Sequence, residues 1–335
     1  MTELGARMEA DMRAQPDVLR ALASGPRPVL GPAPDGIVIV ARGSSDYAAI
    51  FGRYLLEAAT GRPVALAAPS LQTLYGVTLR LSGWLALGIS QSGRTPEIAT
   101  VLDRYSRAGA RTLAITNDAD SPLARSADAA VALGAGAEGA VPATKTFTAQ
   151  LVALALVAEA LGTVSWDAAD WERLPDDVGT VLEDSAPAER AANRLDGADA
   201  LVALGRGYLM PVALEAALKL REAAQLRAEG WSAADFRHGP VTVAGEGLPV
   251  LAVSAAGPGA RDVEELAGEL ESGGAAVLRL ADNDEADLPY PGGLAEPLRA
   301  VPAAVRAQQL ALALARRRGI DPDEPPGLRK VTPTR

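Results

Sequence analysis

Ser90-Gln-Ser-Gly-Arg-Thr95 lies between a short apolar run, Trp84 to Ile89, and the start of a helix, and its residue types suit an anion. The run reads as a buried parallel strand. Thr95 suits an N-cap, Pro96 the first helical position and Glu97 the first turn. Ile98, Val101, Leu102 and Tyr105 recur at helical spacing, and Gly109 is placed to end the helix. A strand, a hydroxyl-bearing turn and a helix N-terminus together offer unpaired amides and the positive end of the helix dipole. Ser90, Ser92 and Thr95 add neutral donors, and Gly93 lets the backbone approach closely. A phosphate monoester fits such a turn, although an ordinary capped turn uses the same residues. Neither a Walker-type lysine nor GxGxxG follows, which disfavours a nucleotide. A second strand, Ile37 to Val40, leads into Arg42-Gly-Ser-Ser-Asp46, and Tyr47 to Ala59 reads as its helix. In a doubly wound sheet such turns gather at the carboxyl edge, so two serine-bearing turns favour the phosphate.

Acid–base chemistry has its own candidates. The segment 211–228 reads as a helix rich in Ala and Leu, yet it carries Glu215, Lys219, Glu222 and Gln225, with Glu229 just beyond. Spacings of four and three put Glu215, Lys219 and Glu222 on one stripe. Most such stripes are solvated faces. Here Ala and Leu flank it on both sides, as on a helix packed around most of its circumference, where a carboxylate beside a lysine could carry a proton. His238, in Phe236-Arg-His-Gly-Pro240, is the single histidine, the side-chain type suited to proton transfer near neutrality; a lone histidine is more often structural or merely exposed. Composition assigns Lys330 no role.

The elements that must position these residues are those of an α/β protein. At 335 residues the chain accommodates two domains, and 48% hydrophobic residues with 4% aromatic suit alternating helices and parallel strands. Cysteine is absent, excluding disulfides and thiolate chemistry. A net charge of −10 argues against nucleic acid and anionic membrane surfaces as partners. No apolar run reaches membrane-spanning length and MTELGARMEADMR has no signal core, so a soluble, cytoplasmic protein is expected. We expect an N-terminal helix over 1–24, broken at Gln15-Pro16, a first domain over 25–165, linker helices over 166–193, a second domain over 194–320 and a tail over 321–335. Further strands are expected near 63–67, 112–116, 129–133, 200–204, 249–254 and 276–280, with helices near 143–161, 259–271 and 301–317. Residues 134–142 form a glycine-rich loop. Val40-Ala-Arg-Gly43 is echoed by Leu204-Gly-Arg-Gly207, a weak sign of duplication. The second half has no hydroxyl cluster after its middle strand, so one phosphate site is expected. The proline- and charge-rich tail from Gly319 reads as disordered.

Taken as a set, Arg42-Gly-Ser-Ser45, Ser90-Gln-Ser-Gly-Arg-Thr95, Ala143-Thr-Lys145, Glu215-Ala-Ala-Leu-Lys-Leu-Arg-Glu222, Arg237-His-Gly-Pro240 and Leu328-Arg-Lys-Val-Thr332 resemble the sugar isomerase (SIS) family, in family order over nearly the whole chain. The chain is similar to the isomerase half of glucosamine-6-phosphate synthase, without the glutaminase half, and to stand-alone glucosamine-6-phosphate deaminases. The resemblance implies two doubly wound, flavodoxin-like parallel-sheet domains in tandem. It implies that Ser45, Ser90, Gln91, Ser92 and Thr95, with Ser44 beside them, hold a sugar phosphate, and that Glu222 moves a proton between C1 and C2 with help from Lys219. It implies that His238 opens the sugar ring from the partner subunit of a homodimer, and that Lys330, on a lid-like tail, lies over the substrate. Val141, Ala143 and Glu215 fall at substrate-contacting positions, with Ala143 where the synthase has serine; Arg94 replaces a glutamate. The expected reaction is isomerising deamination of glucosamine-6-phosphate, with neither metal nor cofactor. A ketosamine-phosphate deglycase, a ketose/aldose isomerase, a non-catalytic sugar-phosphate sensor and a glutamine-dependent synthase partnered by another chain are the alternatives.

Overall fold

The computed structural model describes residues 3–328 and 330, and the chain divides into two compact units. One comprises residues 18–137 and 145–167 together with Lys330; the other takes the described residues up to 17, 138–144 and 168–328. Two short helices lead the chain, α1 (Ala6–Arg13) and α2 (Gln15–Ser24), separated at the expected break.

The unit of residues 18–137 and 145–167 holds the parallel strands β1 (Ile37–Val40), β2 (Val64–Leu66), β3 (Leu85–Ile89), β4 (Arg111–Thr116) and β5 (Ala129–Ala132), in the order β2-β1-β3-β4-β5. β1 and β3 are buried at every position, as strands of a parallel sheet covered on both faces are. The helices of this unit are α3 (Ser44–Thr60), α4 (Pro69–Thr73), α5 (Pro96–Arg107), α6 (Pro122–Ser126) and α7 (Lys145–Leu161). Ile37 pairs with Leu85 and Val40 with Gly88, so the loops leaving β1 and β3 emerge side by side. The strand order reverses between these two strands, which opens a crevice at their carboxyl ends.

The other unit contains α8 (Ala168–Glu183), α9 (Ala186–Arg194), β6 (Ala200–Gly205), α10 (Met210–Ala224), β7 (Arg227–Ser232), α11 (Ala233–Phe236), β8 (Pro249–Val253), α12 (Ala260–Ser272), β9 (Ala276–Ala281), β10 (Leu288–Pro289) and α13 (Ala300–Arg317). Its sheet runs β10-β9-β8-β6-β7, again all parallel. Read from the other edge, this is the topology of the first sheet. Gly43 and Gly207, the glycines of the sequence echo, leave β1 and β6 with φ of +61° and +56°. The α/β class and the pair of doubly wound sheets are therefore as expected.

Three expectations need correction. The helix after β1 begins at Ser44, not Tyr47, because Gly43 in the left-handed region turns the chain at once into α3. Ser44 and Ser45 thus occupy a first helical turn. The helix expected over 211–228 stops at Ala224, where Gln225 takes φ +53°, and 227–232 pairs with β6 as β7. Glu229 is therefore on a strand, off the stripe of Glu215 and Lys219. The tail is fastened as far as Glu324 instead of disordered. Asp323 is buried, and its Oδ2 accepts the Arg7 amide at 2.7 Å while Oδ1 accepts that of Met8 at 2.9 Å. Asp321 accepts the Gly5 amide at 3.0 Å, and the Arg7 guanidinium reaches the Asp323 carbonyl and Glu324. The first-turn amides of α1, which no residue of its own sequence caps, are thus satisfied from the far end of the chain. Arg329 and 331–335, including Val331 and Thr332 of the tail motif, lie outside the described residues. Among the described residues no helix is long and apolar enough to cross a membrane.

Asp323→Ala is expected to lower stability by about 0.5–2 kcal/mol, the usual worth of an N-cap. Urea denaturation measures the loss, and amide exchange should quicken first at Arg7 and Met8.

Candidate active site

The turn after β3 is held by its neighbours. The Ser90 amide donates to the Ile115 carbonyl at 3.1 Å and the Gly93 amide to the Ser90 carbonyl at 3.1 Å, while the Gln91 carbonyl accepts the Asn117 amide at 3.1 Å. Gly93 has φ +61°, and a Cβ there would lie 2.1 Å from Ser121 Oγ and 2.7 Å from Thr116 Oγ1. The turn is seated on the β4–α6 connection, where Ser121 caps α6 through the Ala124 amide at 3.2 Å. Thr95 stands at the N-cap position of α5 but makes no capping hydrogen bond; its Oγ1 is 3.3 Å from Ser90 Oγ. The expected cap is thus a hydroxyl pair within the turn, and the α5 N-terminus keeps its amides for another acceptor. Ser90 is buried, and Gln91, Ser92 and Thr95 are half-buried. Ser92 Oγ accepts the Arg94 amide at 3.2 Å, and the exposed Arg94 pairs with Asp118 at 3.1 Å.

The turn after β1 is tied to the same place. Arg42 donates through two nitrogens to buried Glu97, at 2.9 and 3.0 Å, joining the start of α3 to the first turn of α5. Ser45 is buried and accepts from Gln150 Nε2 of α7 at 3.0 Å; Ser44 is half-buried beside it. Burial pushes the Asp46 carboxyl above its ordinary value, opposed by Arg42. Two helix N-termini and the serines of two turns therefore meet at the β1/β3 crevice, and all six expected phosphate residues lie on these two turns.

In the other unit, α10 carries its ionisable stripe inside the protein. Glu215 is 2% exposed and Lys219 1%. Lys219 Nζ lies 3.4 Å from Glu215 and hydrogen-bonds Glu222, whose side chain is 21% exposed. Burial opposes the lysine charge, but Glu215, Glu222 and then Glu138 outweigh it and hold the ammonium above the usual lysine range. The stripe is thus a packed charge cluster with one carboxylate facing outward. Val141 and Ala143 belong to the 138–144 segment of this same unit.

His238 follows α11 and is exposed, with only its backbone amide engaged by the Asp235 carbonyl at 3.0 Å among the hydrogen bonds of the described residues. Within this unit no hydrogen bond or ion pair among the described residues joins its imidazole to Glu222. Lys330 is half-buried.

Sequence reasoning missed four supports: the Arg42–Glu97 clamp, Gln150 on Ser45, and Glu138 and Asp11, which act on the 138–144 segment. Arg42 and Glu97 both stood in recognised stretches, but nothing local signals a pairing across fifty-five positions.

A SIS domain family model matches residues 33–160 and 195–289. Glutamine–fructose-6-phosphate aminotransferase (isomerizing) of Symbiobacterium thermophilum is 34% identical over 313 residues, covering 88% of this chain and 51% of that protein. The chain thus spans about half the length of the curated relatives it matches. The crystal structure of glucosamine-6-phosphate deaminase from Thermotoga maritima superposes with a TM-score of 0.81 at 27% identity, covering 98% of this chain and all of that one. The C-terminal domain of glucosamine-fructose-6-phosphate aminotransferase from Francisella tularensis superposes with a TM-score of 0.82 at 24% identity, covering 95% and 98%.

The buried ammonium sets an alkaline signature. Its folded pKa lies above the unfolded value of about 10.4, so the stability it contributes is complete below that pH and fades as pH rises toward the folded value. Against the uncharged double variant Lys219→Met/Glu215→Gln, the wild-type stability difference is expected to stay level through neutral pH. It should decline above pH of about 10, read by urea denaturation along a pH series.

Proposed function

The chain belongs to the SIS-domain family, and on that premise we propose that it is a phosphosugar enzyme catalysing the isomerising deamination of glucosamine-6-phosphate to fructose-6-phosphate and ammonia. One observation carries this reading: Glu222 is hydrogen-bonded to a buried, carboxylate-ringed ammonium while part of its side chain stays accessible. A protein that only senses a sugar phosphate needs an anion turn, whereas this cluster fixes a base.

The serine turns after β1 and β3 take the phosphate, with neutral hydroxyls and helix amides offsetting the negative charge of the chain. His238 assists ring opening, which frees the C1 aldehyde. Glu222 removes the C2 proton, the freed electron pair forms the C1–C2 double bond and the C1 carbonyl oxygen takes up a proton from solvent, giving the enolamine, which later loses one amine proton as the imine forms. Return of that proton at C1 leaves an imine at C2, and water adds there and expels ammonia. One water is consumed and one ammonia released, with the carbon skeleton unchanged. Lys219 keeps Glu222 in place throughout, and Lys330 covers the open-chain sugar. The exposure of His238 suits a residue donated across a homodimer interface. The relatives support this choice of substrate: the Thermotoga maritima match is a deaminase of glucosamine-6-phosphate and extends over both chains.

A phosphosugar panel read for ammonia, free amine and ketose tests the proposal. Glucosamine-6-phosphate is expected to yield ammonia and ketose in equal amounts without glutamine. Amine release from ketosamine phosphates, or bare aldose–ketose conversion, would replace the deaminase reading with the deglycase or isomerase one. Glu222→Gln is expected to cut kcat by about a hundredfold or more and leave substrate affinity nearly unchanged. Turnover equal to wild type would remove Glu222 from the mechanism. Ser90→Ala should instead raise KM by about tenfold, the cost of one lost hydrogen bond to a charged group.

A further inference from the structure

We propose that Gln150 is a positioning residue for the phosphate site: it fixes the polarity of the Ser45 hydroxyl, so that the Ser45 hydrogen is reserved for a phosphate oxygen. The proposal rests on Ser45 belonging to that site.

The packing of α3 on α7 sets the pair. Gln150 is 1% exposed on α7 and is followed by a buried apolar run, Leu151 to Ala158. A Cβ on Gly52 of α3 would lie 2.8 Å from Leu154 Cδ2, so the two helices approach closely there. Gln150 precedes Leu154 by four residues and Ser45 precedes Gly52 by seven, which keeps each on the contact face of its own helix. The result is a hydrogen bond between buried groups, Gln150 Nε2 donating to Ser45 Oγ at 3.0 Å.

Packing alone does not account for a glutamine at this place. Its Oε1 is also buried and has no hydrogen-bond partner among the described residues. A buried acceptor left without a donor destabilises the fold. Methionine would fill much the same volume without either polar atom. What Gln150 supplies, and an apolar residue would not, is the donor to Ser45.

The chemistry follows from counting hydrogens. A serine hydroxyl has one hydrogen and two lone pairs, whereas an amide nitrogen has only hydrogens to give. Ser45 Oγ therefore commits a lone pair to Gln150 and must direct its own hydrogen elsewhere. Among the described residues no group accepts that hydrogen. Ser90 Oγ and Thr95 Oγ1, 3.3 Å apart, can each donate to the other, so their hydrogens are interchangeable. Ser45 has a settled direction instead. A hydroxyl held as a donor in the first turn of α3 has the same polarity as the free helix amides beside it, and it is aligned for an anion before the anion arrives.

Calorimetric titration of the whole protein with fructose-6-phosphate tests this, and it does not depend on which reaction the enzyme catalyses. Ser45→Ala is expected to weaken binding about tenfold, as the loss of a hydrogen bond to a charged group does. Gln150→Met keeps Ser45 but leaves its hydrogen undirected, and should weaken binding about threefold to fivefold. Added to Ser45→Ala, the same substitution should change affinity by less than about twofold, because its effect runs through the Ser45 hydroxyl. A residue that merely packs α7 on α3 would weaken the double variant further by its own full factor. Binding by Gln150→Met equal to wild type, or independent action of the two substitutions, overturns the proposal. Where Gln150→Met fails to fold, wild type carrying isotopically labelled glutamine gives the reading by NMR. Fructose-6-phosphate is expected to shift the Gln150 side-chain amide resonance, since hydrogen bonds in a chain polarise one another, and an unshifted resonance overturns the proposal. Failure of the underlying site looks different, because Ser45→Ala would then bind fructose-6-phosphate like wild type and the inference would fall with it.

Discussion

The ammonium of Lys219 is the constraint around which the α10 unit is arranged. Burying a lysine completely is costly, and replacing such a cluster with apolar side chains of similar volume is often neutral or stabilising. Stability alone therefore does not account for it. Once present, the charge dictates its surroundings: losing one partner of a buried pair costs about 3–5 kcal/mol, so Glu215 must remain buried beside it, with the charge of buried Glu138 acting in the same sense. Glu222 differs from both in keeping part of its side chain accessible. One element thereby joins a buried charge to an accessible carboxylate.

The two sheets share a topology but use their switch points differently. At β1/β3 the turns present serines and helix amides, and the local charges, Arg42 and Glu97, are spent on each other. At β6/β8 the equivalent ground is filled by the protein's own groups. Ser254 Oγ donates to Glu264 at 2.8 Å, Arg206 pairs with Asp262 at 3.0 Å, and the Ala256 amide is taken by Asp282 at 2.9 Å. The same backbone plan thus leaves hydroxyls and helix amides open at one switch point and a self-satisfied turn at the other, the difference lying in a few side chains.

Much of this was legible in the residue order because it is local. The Thr95-Pro96-Glu97 helix start, the apolar strands and the Glu215–Lys219–Glu222 spacing each depend on neighbours within a turn or two. One error, the start of α3, was local, set by the positive φ of Gly43; the others fell where a distant partner decides. The end of α10 was misplaced because Arg227–Ser232 owes its strand state to pairing with β6, and Ala-, Leu- and Glu-bearing sequence suits a helix equally well. The tail looked unfolded because its prolines and charges bury little, yet two aspartates there supply the acceptors that α1 lacks. Asp11 and Glu138 gave no signal, since each acts through backbone amides or through a charge far along the sequence.

The α10 unit is assembled from three separate stretches of polypeptide, and this bears on how the molecule could have diversified. A doubled ancestral module would ordinarily leave two pieces that recombination can trade one for another. Here the later half borrows its opening helix and a seven-residue insert, 138–144, from the earlier half, so a crossover in the connecting region would strand both loans.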